Sequence, residues 1–280
     1  MKKIIVPVDF SPSAENALDF AIQFNQVVEG KIILLHVLEL PVSSVNYGGD
    51  MTSATAEVVY RKELIEGTSA KLHELEDKVR KTGQEVSIKM GFGSPYKSIG
   101  KEVAKQEADW VVMGSKGSSG LKEIFIGSNA ERVIRYSDCP VITIKEKTDL
   151  SRMKSMVFAS DLSGDQDGIA AKALHIQELF GLNMHLLRVK TPYNYLTEEV
   201  AIDQLAEFAE RNGFVDYTNN TIEADFSEDG IIKFAEEVNA GLIVMGTHGR
   251  TGIAHMFGGS RAEDVVNHST IPLLTFKIED

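Results

Sequence analysis

Residues 113–128 read MGSKGSSGLKEIFIGS, and residues 245–260 read MGTHGRTGIAHMFGGS. The two stretches match in register at the Met, at four Gly, at the Phe and at the closing Ser. Glycine loses more conformational entropy on folding than any other residue. A glycine spacing kept twice therefore points to a constraint on the backbone. Moving outward, the neighbouring pieces pair as well. IIVPVDFSPSAENAL (4–18) returns as MVFASDLSGDQDGIAAKAL (156–174), setting Asp9 against Asp161 and Ser11 against Ser163. LLHV (34–37) answers to LLRV (186–189), WVVMGSKG (110–117) to LIVMGTHG (242–249), and CPVITIK (139–145) to IPLLTFK (271–277). Order and approximate spacing are kept throughout, which marks an internal duplication. The joint falls in the polar stretch KEKTDLSRMK (145–154), giving expected domains at 1–147 and 152–280.

Each half alternates short apolar runs with longer amphipathic patterns. In the first half, strands are expected at 3–9, 31–37, 86–91, 109–114 and 140–145. Runs such as IIVPV and WVVMG are apolar on successive residues, which suits strands buried on both faces. Residues 12–28 place Ala14, Ala17, Leu18, Ala21, Phe24 and Val28 on one helical stripe. Ser11 is a natural N-cap, with Pro12 at the first helical position. A second, longer helix is expected over 55–82, ending at Gly83. Strands alternating with helices imply a doubly wound α/β fold, a parallel sheet with right-handed crossovers and helices on both faces.

In such a sheet, ligands bind beyond the strand C-termini, where the strand order reverses. The glycine loop leaves the fourth strand at that edge. Gly114 and Gly117 can adopt positive φ and let backbone N–H groups approach an anion closely. Gly127 and Ser128 open a helix whose free N–H groups favour phosphate, with the Ser128 hydroxyl as a further donor. Asp9, placed at the end of the first strand, can accept hydrogen bonds from ribose hydroxyls or an adenine amine, or complement the charge of the helix N-terminus. Val37 offers an apolar wall for a base, or simply packs in the core.

The totals bound the alternatives. The chain has 43% hydrophobic and 25% charged residues, as soluble globular proteins do. It has no run of about 18 apolar residues for a membrane span and no signal-peptide pattern at its start. Its one cysteine, Cys139, excludes an intramolecular disulfide and fits a reducing, cytoplasmic setting. Net charge is −12, with −2 in residues 1–150 (19 basic, 21 acidic) and −10 in residues 151–280 (10 basic, 20 acidic). Without clustered Lys and Arg, nucleic acid is a poor partner. The GK dipeptides at 30–31 and 100–101 lack the Ser or Thr of a P-loop, and GxGxxG is missing after the first strand. Five of seven His (His175, His185, His248, His255, His268) lie in the second half without close metal-ligand spacing.

The spacing Gly114-x2-Gly117-x9-Gly127-Ser128 resembles the ATP-binding motif of the universal stress protein family, and so does Gly246-x2-Gly249-x9-Gly259-Ser260. PVDFSPSAENAL and CPVITIK resemble that family's first strand and its fifth, dimer-forming strand. The resemblance covers nearly the whole chain as two copies. It implies tandem open parallel five-stranded sheets of order 3-2-1-4-5, paired through their last strands as an intramolecular pseudo-dimer. It also implies bound ATP, AMP or ADP, with Mg²⁺, in a stress sensor or regulator. By position, Pro7, Asp9 and Val37 would hold adenine and ribose. Met113, Gly114, Gly117, Gly127, Ser128 and Asn129 would hold ribose and phosphates. The second-half counterparts are Ala159, Asp161, Val189, Met245, Gly246, Gly249, Gly259, Ser260 and Arg261. Two departures favour the first site: Arg261 follows the second Gly-Ser, and DFS (225–227) replaces GSP (93–95). The first half is thus expected to bind ATP and the second weakly, differently or not at all. No general base is placed to activate water, so at most slow ATP hydrolysis is expected. A nucleotide-independent scaffold for protein partners is the alternative, and a homodimer of chains is left open.

Overall fold

A computed structural model of the chain describes residues 1–39, 51–115, 127–162, 166–194, 197–248 and 261–278. The apolar runs form strands β1 (Lys3–Pro7), β2 (Lys31–Leu38), β3 (Glu85–Phe92), β4 (Trp110–Gly114) and β5 (Val141–Ile144). The helices between them are α1 (Pro12–Val28), α2 (Met51–Arg80), α3 (Pro95–Gln106) and α4 (Ser128–Tyr136). The second half repeats the series as β6 (Ser155–Ala159), α5 (Asp167–Phe180), β7 (Asn183–Lys190), α6 (Glu198–Asn212), β8 (Tyr217–Glu223), α7 (Ser227–Glu237), β9 (Leu242–His248), α8 (Arg261–His268) and β10 (Leu273–Ile278).

Local signals account for the boundaries. The Ser11 hydroxyl accepts the Ala14 amide and Pro12 sits in the first turn, so α1 starts and ends where the sequence places it. The first strand stops at Pro7, short of the expected residue 9, because Asp9 turns the chain with its own side chain, accepting the Ser11 amide at 3.0 Å. The second helix starts at Met51, four residues early, and Gly83 at φ 78° ends the turn that follows it.

All ten strands join one sheet of order β3-β2-β1-β4-β5-β10-β9-β6-β7-β8. Within each half the pairing is parallel, and the order reads 3-2-1-4-5 outward to inward, as expected. Successive residues of the central strand β1 serve opposite cores. Ile4 and Val6 pack with α1, α2, α5 and α6, and Ile5 packs with α3, α4, α7 and α8. That alternation explains the unbroken apolar runs.

The halves meet where β5 and β10 pair antiparallel, with Ile142 opposite Leu274. The Thr143 hydroxyl donates to the Leu273 carbonyl and the Thr275 hydroxyl to the Val141 carbonyl, each at 3.3 Å, so the seam has a local pseudo-twofold. On one face Phe24 stacks on Phe180 with centroids 5.5 Å apart. On the other, Arg135 of α4 donates to both carboxylate oxygens of Glu263 of α8, at 2.8 and 2.7 Å. Glu263 is 5% exposed. Removing one partner of a buried ion pair strands the other, at a cost of about 3 kcal/mol, whereas replacing both with apolar groups is far milder. Arg135→Ala is therefore expected to lower stability by about that amount in urea unfolding, and the double change Arg135→Leu/Glu263→Leu by clearly less.

Candidate functional site

Strand order reverses between β1 and β4, so a cleft opens at their C-terminal ends. Beyond Pro7 the Val8 amide still donates to the Leu35 carbonyl (2.9 Å), and Phe10 then adopts φ 62°. The Phe10 ring stacks on His36 at 4.8 Å, and the Lys71 ammonium lies 5.3 Å from its centre. His36 Nδ1 is 2.7 Å from the Val8 carbonyl oxygen, which can only accept, so this nitrogen carries the proton. Pro7, Asp9 and Val37 are partly exposed on the cleft.

The glycine loop is pinched at its base. The Ser115 amide donates to the Ile144 carbonyl at 3.1 Å, and the Gly127 amide donates to the Ser115 carbonyl at 2.8 Å. The two ends that flank residues 116–126, Ser115 and Gly127, are thus held together by one hydrogen bond. Gly127 is the N-cap of α4 and brings no side-chain oxygen to its first turn. The N–H groups of that turn are left for other acceptors. Ser128 is exposed and Asn129 half-buried at this end.

Gly114 packs closely against the start of α1. It is the last residue of β4 and is not among the positive-φ residues described. A Cβ there would lie 2.6 Å from Ser13 Oγ and 2.8 Å from the Ser13 carbonyl carbon. Ser13 in turn donates to the Ile144 carbonyl (3.2 Å), so the first turn of α1 rests on the tips of β4 and β5. Gly246 is constrained likewise: a Cβ would come within 2.5 Å of Ile169 Cδ1. Both glycines are small because a helix lies against them. Met113 and Met245, each 5% exposed, belong to the core beneath. Gly117, Gly249, Gly259 and Ser260 fall outside the described residues, and of Arg261 only its place at the start of α8 is described.

The second cleft differs in detail. Leu162 repeats the positive φ of Phe10, at 58°, but here the Ser160 hydroxyl accepts the Leu162 amide. Arg188 stands where the first half has His36. Burial pulls the Arg188 pKa down, and the Asp161 carboxylate opposes that shift. The apolar positions lie deeper, with Ala159 6% and Val189 8% exposed. Neither Ser13 nor the His36–Arg188 difference was singled out from the sequence, although the mismatch of LLHV with LLRV was visible there.

Among the described residues no group of His, Cys, Asp or Glu is placed to hold a metal ion, and no helix is long and apolar enough to cross a membrane. The family model for the universal stress protein family matches residues 1–145 and again residues 153–277. The chain belongs to the universal stress protein family. Among its relatives, universal stress protein Slr1230 of Synechocystis is 26% identical over 99% of this chain and 100% of its own length. Universal stress protein MJ0577 of Methanocaldococcus jannaschii is 31% identical over 52% of this chain and 96% of its own. The crystal structure of a universal stress protein from Archaeoglobus fulgidus aligns over 99% of this chain and 98% of that one, with TM-score 0.77 and 23% identity, a likeness of fold.

The Ser13 contact makes a prediction about this universal stress protein. Gly114→Ala is expected to destabilise it by about 1–3 kcal/mol, the usual cost of overpacking, seen as a lower thermal midpoint without any nucleotide present. An unchanged midpoint would show that α1 can retreat freely.

Proposed function

We propose that this universal stress protein binds an adenine nucleotide, ATP foremost with AMP and ADP as lesser ligands, in the cleft of its first half, and that binding informs a stress response. The observation that carries this reading is the pinch between Ser115 and Gly127, which leads a glycine-rich loop straight into the uncapped N-terminus of α4. N–H groups at a helix start, reached through a glycine loop, favour a phosphate. Half-exposed Pro7 and Val37 supply apolar surface for the base, and Asp9 an acceptor for ribose hydroxyls. Ser128 and Asn129 stand at the phosphate end, and Mg²⁺ would arrive as the companion of the polyphosphate. Another solved universal stress protein is in complex with cAMP; that contact belongs to that protein, and the reading here rests on the residues just named.

Because Gly114 is a packing residue, its substitution cannot separate lost folding from lost binding. Ser128→Asp can. The position is exposed at the first turn of α4, where an acid favours the helix by about 0.3–1 kcal/mol. The same charge opposes a phosphate. Calorimetric titration of nucleotide-stripped protein with Mg-ATP is expected to show saturable binding that weakens at least tenfold in Ser128→Asp, with unfolding unchanged. An absence of binding up to millimolar ATP, weaker than about −4 kcal/mol, would overturn the proposal.

A further inference from the structure

Every helix that follows a strand of a parallel sheet begins at the C-terminal edge, so α3 and α4 start beside the first cleft, and α7 and α8 beside the second. The two helix pairs correspond closely inside. Buried Ile99, Val103, Ala130 and Val133 answer to buried Ile231, Ala235, Ala262 and Val265. Their outward first turns do not agree. Tyr96 and Lys97 of α3 answer to Glu228 and Asp229 of α7, and Arg132 of α4 answers to Asp264 of α8. In the first half the Arg132 guanidinium lies 4.9 Å from the centre of the Tyr96 ring and the Lys97 ammonium 6.0 Å from it, two cations steadied by one aromatic face. In the second half three carboxylates take those places. Burial pushes the Asp264 pKa up and Glu228 pushes it further, with Asp229 and Glu131 adding to the effect and His268 opposing it. The charge of the helix starts therefore runs from +1 (Lys97, Arg132 and Glu131) to −3 (Glu228, Asp229, Glu263, Asp264 and Arg261). Arg132 is one turn into α4 from Ser128, about 6 Å along the axis, well inside the roughly 10 Å over which salt leaves charge interactions unscreened.

The base-and-ribose side of the cleft diverges independently. Phe10 stacks on His36 in the first half, and Arg188 stands at the position of His36 in the second.

We infer that the second cleft rejects polyphosphate nucleotides, with Glu228, Asp229 and Asp264 as the residues that repel the phosphates and Arg188, in the place of His36, altering the base-and-ribose side, so that the chain takes up one nucleotide. This rests on the nucleotide reading of the first half. It places specificity in helix starts and in the β7 arginine rather than in the glycine loops, whose spacing is the same in both copies.

The test is calorimetry of the full chain with Mg-ATP. One site per chain, weakened at least tenfold by Ser128→Asp, is expected. Exchanging the second-half residues for their first-half counterparts, Glu228→Tyr/Asp229→Lys/Asp264→Arg with Arg188→His, is expected to raise the stoichiometry to two. The reverse change, Lys97→Asp/Arg132→Asp, alters two exposed side chains and is expected to weaken the native site at least tenfold with an unchanged thermal midpoint. Two sites in the wild-type chain, or one site whose affinity Ser128→Asp leaves unchanged, would overturn the inference while leaving nucleotide binding intact. No site at all would instead remove the nucleotide reading beneath it. A folded four-residue exchange that stays at one site, or a reverse change without effect on affinity, would overturn the assignment to these residues.

Discussion

The antiparallel pairing of β5 with β10 is the contact on which the rest of this molecule depends. β5 has only four residues, all buried, and as an open edge it would present apolar side chains and unpaired backbone groups to water. Pairing with β10 satisfies those groups and turns two five-stranded sheets into one of ten strands. The Phe24–Phe180 stack and the Arg135–Glu263 pair close the seam on its two faces, so the halves share both hydrophobic layers. Because the pairing is antiparallel, the strands of the two halves point in opposite directions. Their C-terminal edges, and with them the two clefts, fall at opposite ends of the sheet. Each cleft draws its strands from its own half of the chain, and the two are free to diverge.

That freedom is visible in how the duplicated parts have aged. Positions that face the cores keep their character: Ile99 with Ile231, Val133 with Val265, Gly114 with Gly246. Positions that face the clefts do not: His36 became Arg188, Arg132 became Asp264, Tyr96 became Glu228 or the reverse. Close packing tolerates little change in volume, whereas an outward side chain is constrained only by what approaches it. A shared scaffold can thus carry one cleft suited to an anion and one that is not.

The glycines show how one residue can answer to two constraints. Kept spacing in both loops is what a phosphate cradle needs, and Gly114 and Gly246 satisfy it. Yet the atoms nearest the missing Cβ belong to Ser13 of α1 at Gly114, and to Ile169 of α5 and Ile278 of β10 at Gly246. The helix must start close to the sheet edge for its first turn to reach the tips of β4 and β5, as Ser13 does through the Ile144 carbonyl. Conservation between the two copies at these positions follows from helix packing alone, whatever the loops bind.

Much of the fold was legible in the amino-acid sequence because its signals are local. The apolar runs around Ile4 and Trp110, the stripe from Ala14 to Val28, and the Ser11-Pro12 start each act within a few residues, and the structure follows them closely. The duplication supplied the rest of the architecture, since a pattern seen twice fixes the order of elements. What the sequence left undecided concerns atoms brought together from far apart. Ser13 against Gly114, Phe24 against Phe180 and Arg135 against Glu263 meet only after the sheet has formed, and no spacing along the chain announces them. For the same reason the tertiary structure alone decided that Phe10 stacks on His36, because the parallel register of β1 with β2 brings the chain beyond Pro7 alongside the end of β2.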